Sequence, residues 1–298
     1  MVLGMKPKNS VLSILSLLVP IAIILAYILS TVLGFEVEFW RKITVLGDEV
    51  FYVGILPIIY HGVSRSLGIE LIILITSSIW VGNTLKNTLK IPRPPESLWL
   101  VKAEGYSFPS GHALGSTIVW GFFSIHYRKL IPTALVIVTF VSLSRIFLRV
   151  HYVTDIIGGI SIGLLILLTY LLIKNTFIKA STTFKLTTLL FAICAFLAIS
   201  ATLGTLTYVE YSTIGVMAGS ALGHILLSRN SKNLPKPNLI ERIAGAILGL
   251  LISFIGYKIS ESIAYEPLLL IHYIVVAFIM TYIVGLLIDF IRKRRIQR

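Results

Sequence analysis

Cysteine occurs once in this chain, at Cys194, inside the apolar run Phe191-Ala192-Ile193-Cys194-Ala195-Phe196. A single thiol excludes an internal disulfide, and no cysteine cluster is present for zinc. The residue six places on is Ser200, so the Cys-x5-Arg pattern of cysteine-dependent phosphatases is missing too. Glutamine also occurs once, at Gln297; a scarcity of both residues is a trait of thermophilic proteins. Charge is scarce as well. Only 13% of the residues are charged, against about 25% in ordinary soluble domains. A chain of 298 residues has the length of two soluble domains, but this composition excludes them.

What is abundant is apolar sequence: 56% of the chain. Runs near twenty residues recur along the whole length, so the chain reads as a polytopic helical membrane protein. A β-barrel would show short alternating segments instead. Ten spans are expected, over 11–33, 48–64, 67–88, 112–127, 131–149, 155–174, 186–208, 212–228, 240–258 and 267–290. The first is 23 residues long, roughly 34 Å as a helix, and follows Lys6 and Lys8; it reads as an uncleaved span. The second is short and contains Pro57, which leaves a re-entrant segment as an alternative. Small residues at Gly215, Gly219 and Gly223, and at Gly245 and Gly249, suit close helix contact.

The net charge of +13 is topological rather than a nucleic-acid footprint, because the cations are scattered between apolar runs. With the N-terminus in the cytoplasm and strict alternation, 17 of the 26 basic residues fall on the cytoplasmic side, as the positive-inside rule requires. The tail Arg292-Lys293-Arg294-Arg295 returns there. Ten of the 13 acidic residues fall outside. Trp40 and Trp99 also fall in outer loops, where an interfacial belt would lie.

Three stretches then fall together on the non-cytoplasmic face. They are Lys86-x6-Arg93-Pro94, Pro109-Ser110-Gly111-His112, and Ser144-Arg145-x5-His151-x3-Asp155. A phosphate monoester carries close to two negative charges. Arg matches phosphate oxygens with a planar fork, and Lys supplies a compact charge; Lys86, Arg93 and Arg145 fit that task. Pro109 to His112 sits where a helix begins, and free N–H groups there favour anions. Gly111 permits close backbone approach, Ser110 adds a donor, and His112 is the candidate general acid. His151 is the candidate nucleophile, with Asp155 four residues on to fix its tautomer and stabilise a phosphohistidine. Glu96, Glu104 and Asp155 are too few and too scattered for a two-metal site, so no metal and no cofactor is expected.

These three stretches resemble the signatures of the type 2 phosphatidic acid phosphatase superfamily, the lipid phosphate phosphatases. The resemblance implies His151 as nucleophile, Asp155 as its partner and His112 as acid. It implies Lys86, Arg93, Ser110, Gly111 and Arg145 as the phosphate-binding set. It also implies an all-α membrane bundle with a six-helix core over residues 1–178, leaving 179–298 as a four-span extension of unknown role. The activity it implies is metal-independent hydrolysis of a lipid phosphate or diphosphate, of polyprenyl, dolichyl or phosphatidate type, at a multi-pass cell membrane. The expected partners are the lipid substrate and the bilayer, with no nucleic acid. Two alternatives stay open: a phosphotransferase using the same site, and a lipid transporter or flippase.

Outside the signatures, Arg149 reads as a headgroup or loop contact, and Lys90 and Lys102 as solvated loop charge or steering groups. His61 and His126 read as interfacial, and His224 and His272 as hydrogen-bonded packing residues. The basic tail reads as a topology anchor or a contact with anionic lipid.

Overall fold

The computed structural model describes residues 9–231 and 234–297, so Lys6, Lys8, Lys232 and Arg298, counted above, lie outside it. The described residues form helices with no strand among them. In chain order these are α1 (Asn9–Val32), α2 (Glu36–Thr44), α3 (Glu49–Pro57), α4 (Arg65–Leu89), α5 (Gly111–His126), α6 (Ile131–Phe147), α7 (Val153–Lys179), α8 (Thr182–Leu203), α9 (Tyr208–Asn230), α10 (Leu239–Ser260), α11 (Pro267–Phe278) and α12 (Val284–Gln297). A wider helical turn over Ile58–Val63 extends α3, and another over Ile279–Ile283 joins α11 to α12. Each expected span overlaps a helix or joined helical segments, the last of which runs on to Gln297.

Seven described helices are long and apolar enough to cross a membrane, or eight if the bent pair Glu36–Gly47 and Glu49–Val63 is one span. Two expected spans, α5 and α9, fall outside that set. Both are wrapped in protein. α5 buries nine of its 16 residues, and α9 buries Glu210, Thr213 and Ser220 along with its glycines. A helix that faces protein rather than lipid need not be apolar all round. Leu17, Leu18, Leu25 and Leu172 on α1 and α7 are exposed, as a lipid-facing surface demands.

The chain packs as two compact units, Met1–Phe51 with Val81–Leu172, and Tyr52–Trp80 with Ile173–Arg298. This packing partition and the expected functional division after residue 178 cut the chain differently.

In the first unit α7 lies against α5 through Gly159 and Gly163. A Cβ at Gly159 would come 2.6 Å from the Ser110 carbonyl oxygen, and one at Gly163 would come 2.9 Å from Thr117. Trp40 is buried against protein. Its ring stacks on Phe140 and Phe147 at 5.8 and 5.3 Å. With Ile43, Leu148 and Val150 it forms a core that fixes the C-terminal end of α6.

In the second unit the glycine row of α9 meets α11: a Cβ at Gly215 would come 2.7 Å from the Leu270 carbonyl oxygen. His61 is buried rather than interfacial. Its Nε2 lies 2.8 Å from the Met280 carbonyl oxygen, and Gly245 and Gly249 leave room for its ring. His224 pairs with the Tyr60 hydroxyl at 3.1 Å, and His272 with the Gly256 carbonyl at 2.9 Å, the packing roles expected of them. Arg65 and Arg292 both pair with the buried Asp289.

Candidate active site

Every residue of the candidate site lies in the first unit, at helix ends or in the loops between them. Ser110 is the N-cap of α5, its oxygen accepting from the Ala113 N–H at 3.4 Å. Its own N–H donates to the Asp155 carbonyl at 3.0 Å. That bond ties the start of α5 to the first turn of α7.

α6 ends in a Schellman motif. The Val150 N–H donates to the Arg145 carbonyl at 3.2 Å, and the Arg149 N–H to the Ile146 carbonyl at 2.9 Å. The motif needs a left-handed residue at the turn, usually glycine. Here it is Arg149, with φ of 60°. A Cβ in that conformation costs about 1–2 kcal/mol. The turn reverses the chain so that His151 comes back toward Arg145.

Three donors converge on one oxygen of the buried Asp155. The Tyr152 N–H lies 2.8 Å from Oδ2 and the His151 Nδ1 lies 3.2 Å from it. The Ser107 hydroxyl donates to the same oxygen. On the other side of the ring, Arg93 Nη1 donates to His151 Nε2 at 3.0 Å. These partners fix the tautomer: Nδ1 carries the proton and Nε2 the lone pair. Burial pulls His151 down to about 4, against the hydrogen bond to Asp155, which raises it; Arg93, Lys86 and Arg145 lower it further. The ring is therefore neutral at pH 7 with its lone pair facing a guanidinium, which is the state a nucleophile needs.

Arg93 is held by the Gly105, Glu104 and Val150 carbonyls at 3.0, 2.8 and 2.8 Å. Lys86 donates to the Tyr106 and Ser107 carbonyls at 2.8 and 3.1 Å, so it braces the loop that carries Ser107. Arg145 is buried, with Nη1 donating to Thr44 at 2.9 Å and a buried Nε that has no partner among the described residues. His112 feels the charge of Arg145, Lys86 and Arg93. Gly111 is exposed, and nothing lies within 4 Å of where its Cβ would be. All eight sequence-derived residues thus share one end of one unit. Among the described residues no three His, Cys, Asp or Glu side chains group to hold a metal.

Sequence reasoning missed three contributors. Ser107 completes the donor set of Asp155. Thr44 positions Arg145. Gly47 packs against the backbone of His112, where a Cβ would come 2.8 Å from Val141 and 3.1 Å from His112. A signal existed only for Ser107: a buried carboxylate needs more donors than one imidazole, and this hydroxyl is three residues from Ser110.

A family model described as PAP2 superfamily matches residues 67–179. The human protein named sphingosine-1-phosphate phosphatase 2 is 36% identical over 145 residues, covering 42% of this chain and 35% of that one. Phosphatidylglycerophosphatase B of Bacillus subtilis (strain 168) is 31% identical over 144 residues, covering 43% of this chain and 70% of that one. A probable sphingosine-1-phosphate phosphatase of Dictyostelium discoideum is 28% identical over 211 residues, covering 63% and 52%. The chain spans about a third to a half of the length of the sphingosine-1-phosphate phosphatases it matches. A crystal structure of a transmembrane PAP2-type phosphatidylglycerolphosphate phosphatase from Bacillus subtilis aligns with a TM-score of 0.39 at 26% identity, covering 58% of this chain and 89% of that one.

Proposed function

Because the chain belongs to the PAP2 superfamily, we propose that it is an integral membrane phosphatase that removes the terminal phosphate from a lipid phosphate without a metal ion. The observation that carries this reading is the His151 ring, held through Nδ1 by Asp155 and facing Arg93 through its Nε2 lone pair. In the proposed mechanism Arg93, Arg145 and Lys86 draw the phosphate in, and its charge takes over the Arg93 contact that Nε2 now makes. Nε2 attacks phosphorus, and the bond to the lipid oxygen breaks. That oxygen keeps the electron pair and takes a proton from His112. Asp155 balances the positive imidazole of the phosphohistidine. Water, deprotonated by His112, then attacks phosphorus and releases phosphate and neutral His151. The cations contribute most as charge spreads over the equatorial oxygens.

For the substrate, a polyprenyl or dolichyl diphosphate comes first and phosphatidate-type lipids next. The names of the relatives add sphingosine-1-phosphate and phosphatidylglycerophosphate, all phosphates on long-tailed molecules. The phosphatase core occupies residues 1–178, and the site opens on the non-cytoplasmic face of the cell membrane.

The test is phosphate release in detergent, with excess EDTA, from a panel of lipid monophosphates and diphosphates. His151→Ala should abolish release, and vanadate should inhibit by mimicking five-coordinate phosphorus. Normal release by purified His151→Ala, or loss in EDTA restored by magnesium, would overturn the reading. Product analysis with added acceptors separates hydrolysis from phosphotransfer.

A further inference from the structure

Two residues with a side chain beyond hydrogen adopt positive φ among the described residues: Lys90 at 52° and Arg149 at 60°. Both are cations, although the left-handed region favours glycine, and after it asparagine or aspartate. Both follow a helix that carries a phosphate-binding cation, Lys90 after Lys86 on α4 and Arg149 after Arg145 on α6. Each adjoins backbone that is bonded into the site. The Ile91 carbonyl, next to Lys90, accepts from the Ser107 N–H at 2.8 Å, and the Val150 carbonyl, next to Arg149, accepts from Arg93 at 2.8 Å. Both side chains are exposed, and no hydrogen bond or ion pair holds either of them among the described residues.

Glycine at either turn would relieve the strain, and packing gives no reason for a long side chain there. Backbone strain of this kind collects at functional sites. The inner cations Lys86 and Arg93 are both committed to carbonyl oxygens, whereas these outer two are free to meet a ligand.

We propose that Lys90 and Arg149 form an outer anion subsite that takes the second phosphate of a lipid diphosphate. The proposal rests on the phosphatase reading and narrows its substrate class. His151 Nε2 bonds to the terminal phosphorus, and the bond from that phosphorus to the bridging oxygen breaks. The bridging oxygen keeps the electron pair and departs on the inner phosphate, as a lipid monophosphate. Charge therefore grows on the group that Arg149 and Lys90 would hold, and Arg suits it through its planar fork.

The experiment compares kcat/KM for a farnesyl diphosphate and a farnesyl monophosphate in non-ionic detergent. In Arg149→Gly the diphosphate-to-monophosphate ratio should fall at least tenfold, with a similar fall in Arg149→Asn and partial recovery in Arg149→Lys. Lys90→Gly should lower the ratio in the same direction. Glycine and asparagine both suit the turn, so these variants keep the fold. A ratio within twofold of the unmodified protein would overturn the proposal. So would a variant that leaves the ratio alone and changes only the response to anionic phospholipid added to the micelles, since the occupant would then be a neighbouring headgroup.

A second arm needs no turnover. In His151→Ala, inorganic pyrophosphate should raise the thermal midpoint more than orthophosphate does, and adding Arg149→Gly should erase the difference. That outcome supports the subsite even if neither farnesyl ester is hydrolysed, which would count against the phosphatase reading alone. Equal effects of the two anions in His151→Ala would overturn the subsite.

Discussion

Asp155→Asn separates two roles that a carboxylate can play beside a nucleophilic histidine. One role is orientation. The other is charge, because the proposed phosphohistidine would carry a positive imidazole. In this site the three donors to Oδ2 are the Tyr152 N–H, the His151 Nδ1–H and the Ser107 hydroxyl. An asparagine can turn its carbonyl oxygen to the same three donors, so the ring keeps its tautomer and its place. The loss is then the charge. A unit pair about 4 Å apart is worth about 4 kcal/mol at an effective dielectric of about 20. Each 1.36 kcal/mol, roughly, is a tenfold change in rate. The expected fall in kcat is about a thousandfold, and about a hundredfold if solvent at the mouth of the site screens the pair.

The assay is steady-state phosphate release by purified Asp155→Asn, with its thermal midpoint measured in the same detergent. Ser107→Ala is the comparison. It keeps the carboxylate and removes one of three donors, so its fall in rate should be at least tenfold smaller than that of Asp155→Asn. A folded Asp155→Asn within tenfold of the unmodified protein would refute the charge argument. An equal loss in the two variants would show that orientation, not charge, is what Asp155 supplies.

Two further predictions follow from the same site and from the charge map. An ordinary histidine titrates near 6.5, whereas burial and three cations hold His151 at about 4. By NMR the His151 ring, identified by its loss in His151→Ala, should therefore titrate near pH 4, and a midpoint at or above 6.5 would refute the electrostatics. The sign for stability is fixed by the same shift. The unfolded chain takes up a proton near 6.5 that the folded one refuses, so this contribution is present above that pH and is lost as pH falls from 6.5 toward 4. In a Cys194→Ala background, a cysteine at Ser97 should react with an impermeant thiol reagent in intact cells, and one at Ser231 only after lysis. The reverse pattern would invert the orientation and remove the outer-leaflet substrate.

The candidate site was legible because it is carried by few residue types in a chain that has little charge to spare. Lys86, Arg93, Arg145, His112, His151 and Asp155 stand at the ends of apolar runs, and hydropathy alone marks those ends. The supporting contacts were not legible, because their partners are distant in sequence. Thr44 bonds to Arg145 across 101 positions, and Gly47 is small for the sake of His112 on another helix. Nothing in the string Leu148-Arg149-Val150 announces a left-handed arginine; only the Schellman bonds reveal it.

The sequence places spans at α5 and α9, and both are helices, α5 with 16 residues and α9 with 23. Each is the helix its unit packs around, so serine, threonine, glycine and, in α9, a fully buried glutamate sit where a lipid-facing helix would need leucine. Trp40, which reads as a membrane-interface residue, is the centre of an aromatic core. Both follow from one fact: apolarity records what a side chain touches, not how deep in the bilayer it lies. α5 bears the candidate phosphate-binding turn and has only 16 residues. Its surroundings are protein on most sides, and the protein is what holds Ser110 at the first turn of α7, through the bond from the Ser110 N–H to the Asp155 carbonyl.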